Sequence, residues 1–287
     1  MSEKKWALVI QGGGSRAAFA AGVVDALAER GLFADVAYGT SAGALIAANY
    51  ASHDIGRYEK ILETSMTAVR FIRPFRYLFG GSLMNFPWIL KGGKTKWPLN
   101  EKQLMEGKTK VFSASTNLND FTTLYIDQSD DRFFASLEAS CSLTLFTKKP
   151  VLVGDVPALD GGYVERIPYQ HALDSGYEKI VIVTTRNEGW RFPEEAIHEK
   201  DEKKVEKRYK SYPNFVEGYK TNRPLYNKQI EWVEQQGWEG RFFVVYPQKE
   251  LDVGLVEFKK EKTHGAYEYG REVMTSQMDS LIDYLSH

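Results

Sequence analysis

Twice within the first 50 residues an apolar run stops at a cluster of glycines and restarts as a helix of small residues. Trp6–Ile10 gives way to Gly12-Gly13-Gly14 and the alanine-rich run Ser15–Arg30. Val36–Tyr38 gives way to Gly39-Thr40-Ser41-Ala42-Gly43 and the run 44–48, with the helix reaching about Ser52. Short apolar runs bounded by glycine read as buried strands. Strands that alternate with helices imply layers around a mostly parallel sheet. Parallel neighbours bring their C-terminal ends to one edge, so both glycine turns emerge together, where α/β folds place their sites.

The alternation continues downstream. Residues from His53 onward predict a helix with an apolar stripe at Ile55, Tyr58, Ile61 and Leu62. Strands are expected at 110–115, 121–126, 151–153, 179–185 and 241–246, with another apolar run from Ala158 to a turn at Tyr163. Helices are expected at 131–140 and 263–285. Without a repeat or a Gly/Ser linker, residues 1–287 read as a single domain. Two stretches interrupt the pattern. Residues 71–90, with Arg70, Arg73 and Arg76 around them, mix aromatics, prolines and a Gly-Gly pair without a clean period. They read as a core-packing loop, or as a lid or acyl-pocket wall beside anionic headgroups. Residues 196–210 are charge-rich and read as a solvated helix.

Gly39-Thr40-Ser41-Ala42-Gly43 has the form of a nucleophile elbow, a strand-to-helix turn that presents its serine beside the amides of a helix start. Gly12–Gly14 exposes successive amides at the start of another helix, an anion-binding arrangement. As a loose dinucleotide fingerprint (Gly12, Gly14, Ala17) it would need an acid at the end of the second strand, but Asp35 precedes that strand. An oxyanion hole is the better reading. The serine needs a base, and none of His53, His171, His198, His264 and His287 sits in a motif. His53 lies at the far end of the elbow helix, roughly 18 Å away at 1.5 Å per residue. Asp160, in Leu159-Asp160-Gly161-Gly162, follows an apolar strand, and the glycines permit close approach to a serine hydroxyl. A free carboxyl of pKa about 3.9 is a weak base, so such a site works by pre-organisation.

Net charge is −1, which gives no nucleic-acid signal. The single cysteine, Cys141, cannot form an internal disulfide and favours a cytoplasmic setting. The first ten residues hold too short an apolar run for a secretion signal, and no stretch approaches the roughly 20 apolar residues that span a bilayer. The expectation is a soluble chain that can still touch a membrane surface from the cytoplasmic side.

Three ordered motifs carry a resemblance. Gly12-Gly13-Gly14-Ser15-Arg16-Ala17, Gly39-Thr40-Ser41-Ala42-Gly43 and Asp160-Gly161-Gly162 resemble the glycine loop, elbow and catalytic aspartate turn of patatin-like phospholipases, bacterial branch. The segments 16–27 and 139–143 resemble the family's first helix and the helix before its aspartate. The likeness covers about 6–185 and leaves 186–287 as an α/β extension. It implies a three-layer α/β/α fold, Ser41 as nucleophile and Asp160 as base in a dyad without histidine. It also implies an oxyanion hole from Gly12, Gly13, Gly14 and Ala42, and Arg16 shaping the loop or meeting anionic substrate. Phospholipids or other acyl esters would be hydrolysed through an acyl-enzyme with no metal or other cofactor. Ala17 and Thr144 depart from the family pattern, where glycine and proline are usual. The competing expectations are an acyltransferase with the same dyad, a Ser-His-Asp hydrolase, a nucleotide-binding regulator and an idle scaffold. Oligomeric state is not legible.

Overall fold

The computed structural model describes residues 5–65, 74–79, 82, 83, 85, 97–193 and 199–287. Its centre is β1 (Trp6–Ile10), buried at all five positions. Parallel neighbours flank it: β2 (Val36–Thr40) on one side and β7 (Lys179–Val183) on the other, with β8 (Phe242–Val245) beyond β7. On the β2 side come β3 (Lys110–Asn117), β4 (Thr123–Asp127), β5 (Val151–Val153) and β6 (Val156–Asp160). The sheet has eight strands in the order β5-β6-β3-β2-β1-β7-β8, with β4 on β3.

One detail of register positions the site. β3 pairs with β2 in parallel up to Thr40↔Ala114, then with β6 in antiparallel from Ser115↔Asp160. β4 runs along Phe112–Thr116 across both stretches, so β2 and β6 share the other edge of β3. Their C-terminal ends therefore meet head-on at consecutive positions of β3. A Cβ on Gly161 would lie 2.3 Å from the Ala114 carbonyl oxygen and 3.1 Å from Thr40 Cγ2, which fixes how closely the two ends approach.

Side chains alternate across the sheet as a strand period of two requires. Trp6, Leu8 and Ile10 enter one apolar cluster with α1 (Ala17–Glu29), α2 (Ala42–Ala51) and the C-terminal helix 260–286. Ala7 and Val9 enter a second cluster with Tyr226, Ile230 and Val233 of the helix Pro213–Trp238. The result is the three-layer α/β/α arrangement. Helix α1 and helix 260–286 cross so closely that a Cβ on Gly22 would sit 1.9 Å from the Tyr267 carbonyl oxygen, and one on Gly270 would sit 2.1 Å from that of Phe19.

Several element bounds differ from expectation. The helix after His53 is α3 (Arg57–Ser65), which leaves Ile55 exposed before it. Most of 71–90 lies outside the described residues, together with Arg70, Arg73 and the side chain of Arg76. Within it, α4 (Pro74–Leu78) is docked by the Tyr77 hydroxyl, which donates to the Leu145 carbonyl at 3.1 Å. Among the described residues the remaining α-helices are α5 (Glu101–Glu106), α6 (Phe133–Ser140), α7 (Gln170–Asp174), α8 (Glu199–Tyr209), α9 (Pro213–Trp238) and α10 (Lys260–Ser286). The charge-rich α8 is not solvated all round. Val205 and Tyr209, four residues apart on one face, are buried against Phe215 and Leu159.

Candidate active site

Ser41 stands between β2 and α2 with φ 56° and ψ −129°. A non-glycine residue rarely adopts this region, and such strain persists only where the surroundings hold it. Several contacts do so here. The Ser41 N–H donates to Ser140 Oγ at 2.8 Å, and Ser140 Oγ donates to the Ala114 carbonyl at 2.6 Å. The Thr40 hydroxyl donates to the Glu165 carbonyl at 2.8 Å. The flanking glycines are steric necessities, since a Cβ on Gly39 would fall 2.3 Å from the Gly43 carbonyl oxygen and one on Gly43 would fall 2.3 Å from that of Ile10.

Asp160 ends β6 and is 3% exposed. Its main chain is pinned on both sides: its N–H donates to the Ser142 carbonyl at 3.1 Å, and its carbonyl accepts from the Thr116 hydroxyl at 2.8 Å. Oδ1 accepts from the Gly162 N–H at 2.8 Å. Oδ2 is buried and makes no hydrogen bond of ordinary geometry. Burial pushes the carboxyl up to about 6, although the nearby Ser41 hydroxyl, the Gly162 amide and Arg166 each pull it down. A base in this range is better matched to neutral pH than a free aspartate.

The glycine loop closes the same pocket. A Cβ on Gly12 would lie 2.9 Å from Ser41 Cβ. The Gly12 N–H donates to the Arg166 carbonyl at 3.2 Å and its carbonyl accepts from the Thr185 hydroxyl at 3.0 Å, so its own amide is already committed. The amides of Gly13, Gly14 and Ala42 meet no acceptor among the described residues. Ser41, Asp160, Gly12, Gly13, Gly14 and Arg16 line one cavity of about 60 Å³.

Comparison with known proteins shows the family. The sequence profile of the patatin-like phospholipase family matches residues 8–173. The chain belongs to that family. A second profile, a domain of unknown function (DUF6363), matches residues 212–286. The chain is similar to the uncharacterized protein YjjU of Escherichia coli, 24% identical over 250 residues that cover 85% of this chain and 69% of the relative. It is also 26% identical to lysophospholipase NTE1 of Debaryomyces hansenii over 190 residues, 64% of this chain but only 12% of that protein's length. Among solved structures, VipD from Legionella pneumophila aligns with a TM-score of 0.48 at 13% identity, covering 97% of this chain and 67% of that one.

In this patatin-like chain no histidine among the described residues lines the pocket. His53 stacks on Phe33 with ring centroids 3.9 Å apart. His171 packs against Tyr125, Phe112 and Tyr38, and burial lowers its pKa. His264 Nδ1 pairs with Glu59 at 2.5 Å and His287 with Asp283, while His198 lies outside the described residues. Asp35 accepts from the Trp6 N–H at 2.9 Å, at the start of β1 and so at the sheet edge opposite the glycine loop. That placement removes the acid a dinucleotide would need.

One of the two departures from the family pattern, Thr144, has a local reason. The Thr144 N–H donates to the Tyr163 hydroxyl at 2.8 Å, and that hydroxyl donates to Thr144 Oγ1 at 3.0 Å; proline could do neither. Ala17 is wholly buried at the start of α1. Sequence reasoning missed Arg166, Arg186, Trp190, Phe192 and Tyr226, which form much of the remaining pocket wall. Arg166 follows Asp160 by six residues and Arg186 follows the end of β7 by three, so position relative to the motifs was the available signal. Among the described residues no helix is long and apolar enough to cross a membrane.

Proposed function

We propose that this chain is a serine lipid acyl hydrolase, of phospholipase A, lysophospholipase or carboxylesterase type, in which residues 1–287 act as one patatin-like domain. The observation that carries the reading is the unpaired, buried Oδ2 of Asp160 in the same cavity as a strained serine. Membership of a lipid-hydrolase family and the likeness to a lysophospholipase support it. Ser41 Oγ attacks the acyl carbonyl and passes its proton to Asp160 Oδ2. Catalytic hydrogen bonds are often loose without substrate and tighten as it binds. The oxyanion is received by the amides of Gly13, Gly14 and Ala42, with Gly12 providing room for approach. The leaving alcohol takes the proton from Asp160, and water repeats the sequence on the acyl-enzyme. Phospholipid or another acyl ester is the substrate, met by peripheral contact with a membrane.

A fluorophosphonate probe tests the nucleophile. The wild type should label covalently at Ser41, and Ser41→Ala should abolish labelling with an unchanged circular dichroism spectrum. Persistent labelling at another residue overturns the assignment. A panel of p-nitrophenyl esters and phospholipids of graded chain length, with and without an alcohol acceptor, separates hydrolysis from acyl transfer.

A further inference from the structure

The three shared motifs account for Ser41, Asp160, the glycine loop and Arg16. They do not account for two further arginines in the same pocket. Arg16, Arg166 and Arg186 all line the cavity, against a single carboxylate, Asp160. Arg166 donates one Nη2 bond to Asn222 at 3.0 Å, while its Nε is buried without an acceptor. Arg16 Nε is likewise buried without an acceptor. Among the described residues, Arg186 pairs with one carboxylate, the exposed Glu250, at 3.6 Å. Burial, then Arg186 and Arg166, lower Arg16 to about 10, which leaves it cationic at neutral pH.

Aromatic rings hold two of these guanidinium groups in place. Arg186 Cζ lies 4.1 Å from the Trp190 ring centroid, and Arg166 Cζ lies 4.6 Å from Phe192 and 5.6 Å from Tyr226. Arg223 also stands over Phe192, at 5.3 Å. Such rings could otherwise form a cage for a quaternary ammonium group. Here they are already engaged by cations, and a choline head would enter a field of its own sign. A phosphomonoester suits the site. It carries close to two negative charges at neutral pH, and its oxygens match the guanidinium fork.

We propose that Arg16, Arg166 and Arg186 form a subsite for a terminal phosphate on the alcohol portion of the acyl ester, so that a lysophosphatidate-type head is preferred over a choline head. The proposal rests on the hydrolase reading for its substrate context, but phosphate binding can be measured without turnover.

The test has a binding arm and a kinetic arm. In calorimetric titration of the full chain, glycerol 3-phosphate should bind, whereas glycerol and glycerophosphocholine should bind at least tenfold more weakly or not at all. Inorganic phosphate should compete with glycerol 3-phosphate; if it alone binds and glycerol 3-phosphate does not, the site takes free phosphate and the headgroup assignment is overturned. In the kinetic arm, kcat/KM for 1-acylglycerol 3-phosphate below its micellar concentration should exceed that for the matching choline ester by tenfold or more. Arg186→Gln should reduce that ratio about tenfold, and Arg186→Lys should recover part of it. Arg186 is chosen because its side chain is 19% exposed rather than fully buried and its loss leaves the Gly12 contact of Arg166 intact. Equal binding of the phosphate and choline compounds, or an unchanged ratio in a folded Arg186→Gln, overturns the subsite. Failure to hydrolyse any ester while glycerol 3-phosphate still binds overturns the hydrolase reading instead.

Discussion

Asp25 and Asp160 are both buried, and burial raises both carboxyls to about 6, yet they sit in opposite kinds of surroundings. Asp25 lies in the seam where α1 meets α10. Its Oδ2 accepts from the Tyr267 hydroxyl at 2.7 Å and from the Gly56 N–H at 2.9 Å, so it ties a loop and two helices together. Asp160 has one oxygen bonded to its own turn and the other buried without a hydrogen bond of ordinary geometry, in a residue that lines the same cavity as Ser41. A raised pKa therefore marks burial, not function. What separates a structural carboxylate from a candidate base is an unspent lone pair beside a nucleophile.

The largest expected effect is on turnover. Asp160→Asn cannot accept the serine proton, and ester hydrolysis should fall about 10³-fold or more, measured as kcat/KM on a soluble ester. Asp25→Asn keeps an oxygen able to accept from Tyr267 and Gly56, so its turnover should stay within about twofold of wild type. Comparable losses in the two variants would break the contrast and make the seam part of the catalytic apparatus.

A second difference concerns pH. For an acid whose folded pKa is raised, the native state binds more protons than the unfolded chain between the two pKa values. Stability therefore falls as pH rises from about 4 to about 6, and the loss persists above that. Both aspartates impose this loss, each on the order of 3 kcal/mol at neutral pH. Asp160→Asn and Asp25→Asn should each raise the denaturation midpoint at pH 7, and the gain should vanish near pH 4. Only Asp160 should also appear in the rate. Wild-type kcat/KM should rise with pH through about 6 to a plateau, because the base must be ionised. A rate that is flat from pH 5 to 8 would remove Asp160 from the base role.

The parts of this site that were legible in the sequence are those whose constraint is local. The elbow needs glycine at both flanks because of clashes within a few residues and against the adjacent strand, so it is written contiguously. The head-on meeting of β2 and β6 is not local. It follows from β3 serving both strands along one edge; the glycines after Asp160 signal a close approach but not the strand pairing that brings it about. Arg186 reaches the pocket because β7 pairs with β1, with Ile10 opposite Val183. Tyr226 reaches it from α9, a helix hidden in the sequence by an internal proline at 224 and by the buried polar positions Asn222, Glu234 and Gln236. In α8 a signal did exist. Val205 and Tyr209 stand four apart amid charges, the spacing of a narrow buried stripe that composition alone obscures.

The smallest expected effect distinguishes the residues that react from those that hold the strain. Ser140 Oγ accepts from the Ser41 N–H and donates to the Ala114 carbonyl, so it braces the elbow from the end of α6 without facing the cavity. Ser140→Ala leaves a part-buried amide without its acceptor, at a cost of about 1–2 kcal/mol in unfolding free energy. The strained backbone at Ser41 then loses one of the contacts that determine it, so the hydroxyl samples more orientations. The expected outcome is a roughly tenfold lower kcat with little change in KM, and fluorophosphonate labelling that is slower but still confined to Ser41. Ser140→Thr, which restores a hydroxyl, should recover part of the rate. A Ser140→Ala variant as fast as wild type would show that the Gly39 and Gly43 contacts alone suffice to hold the elbow.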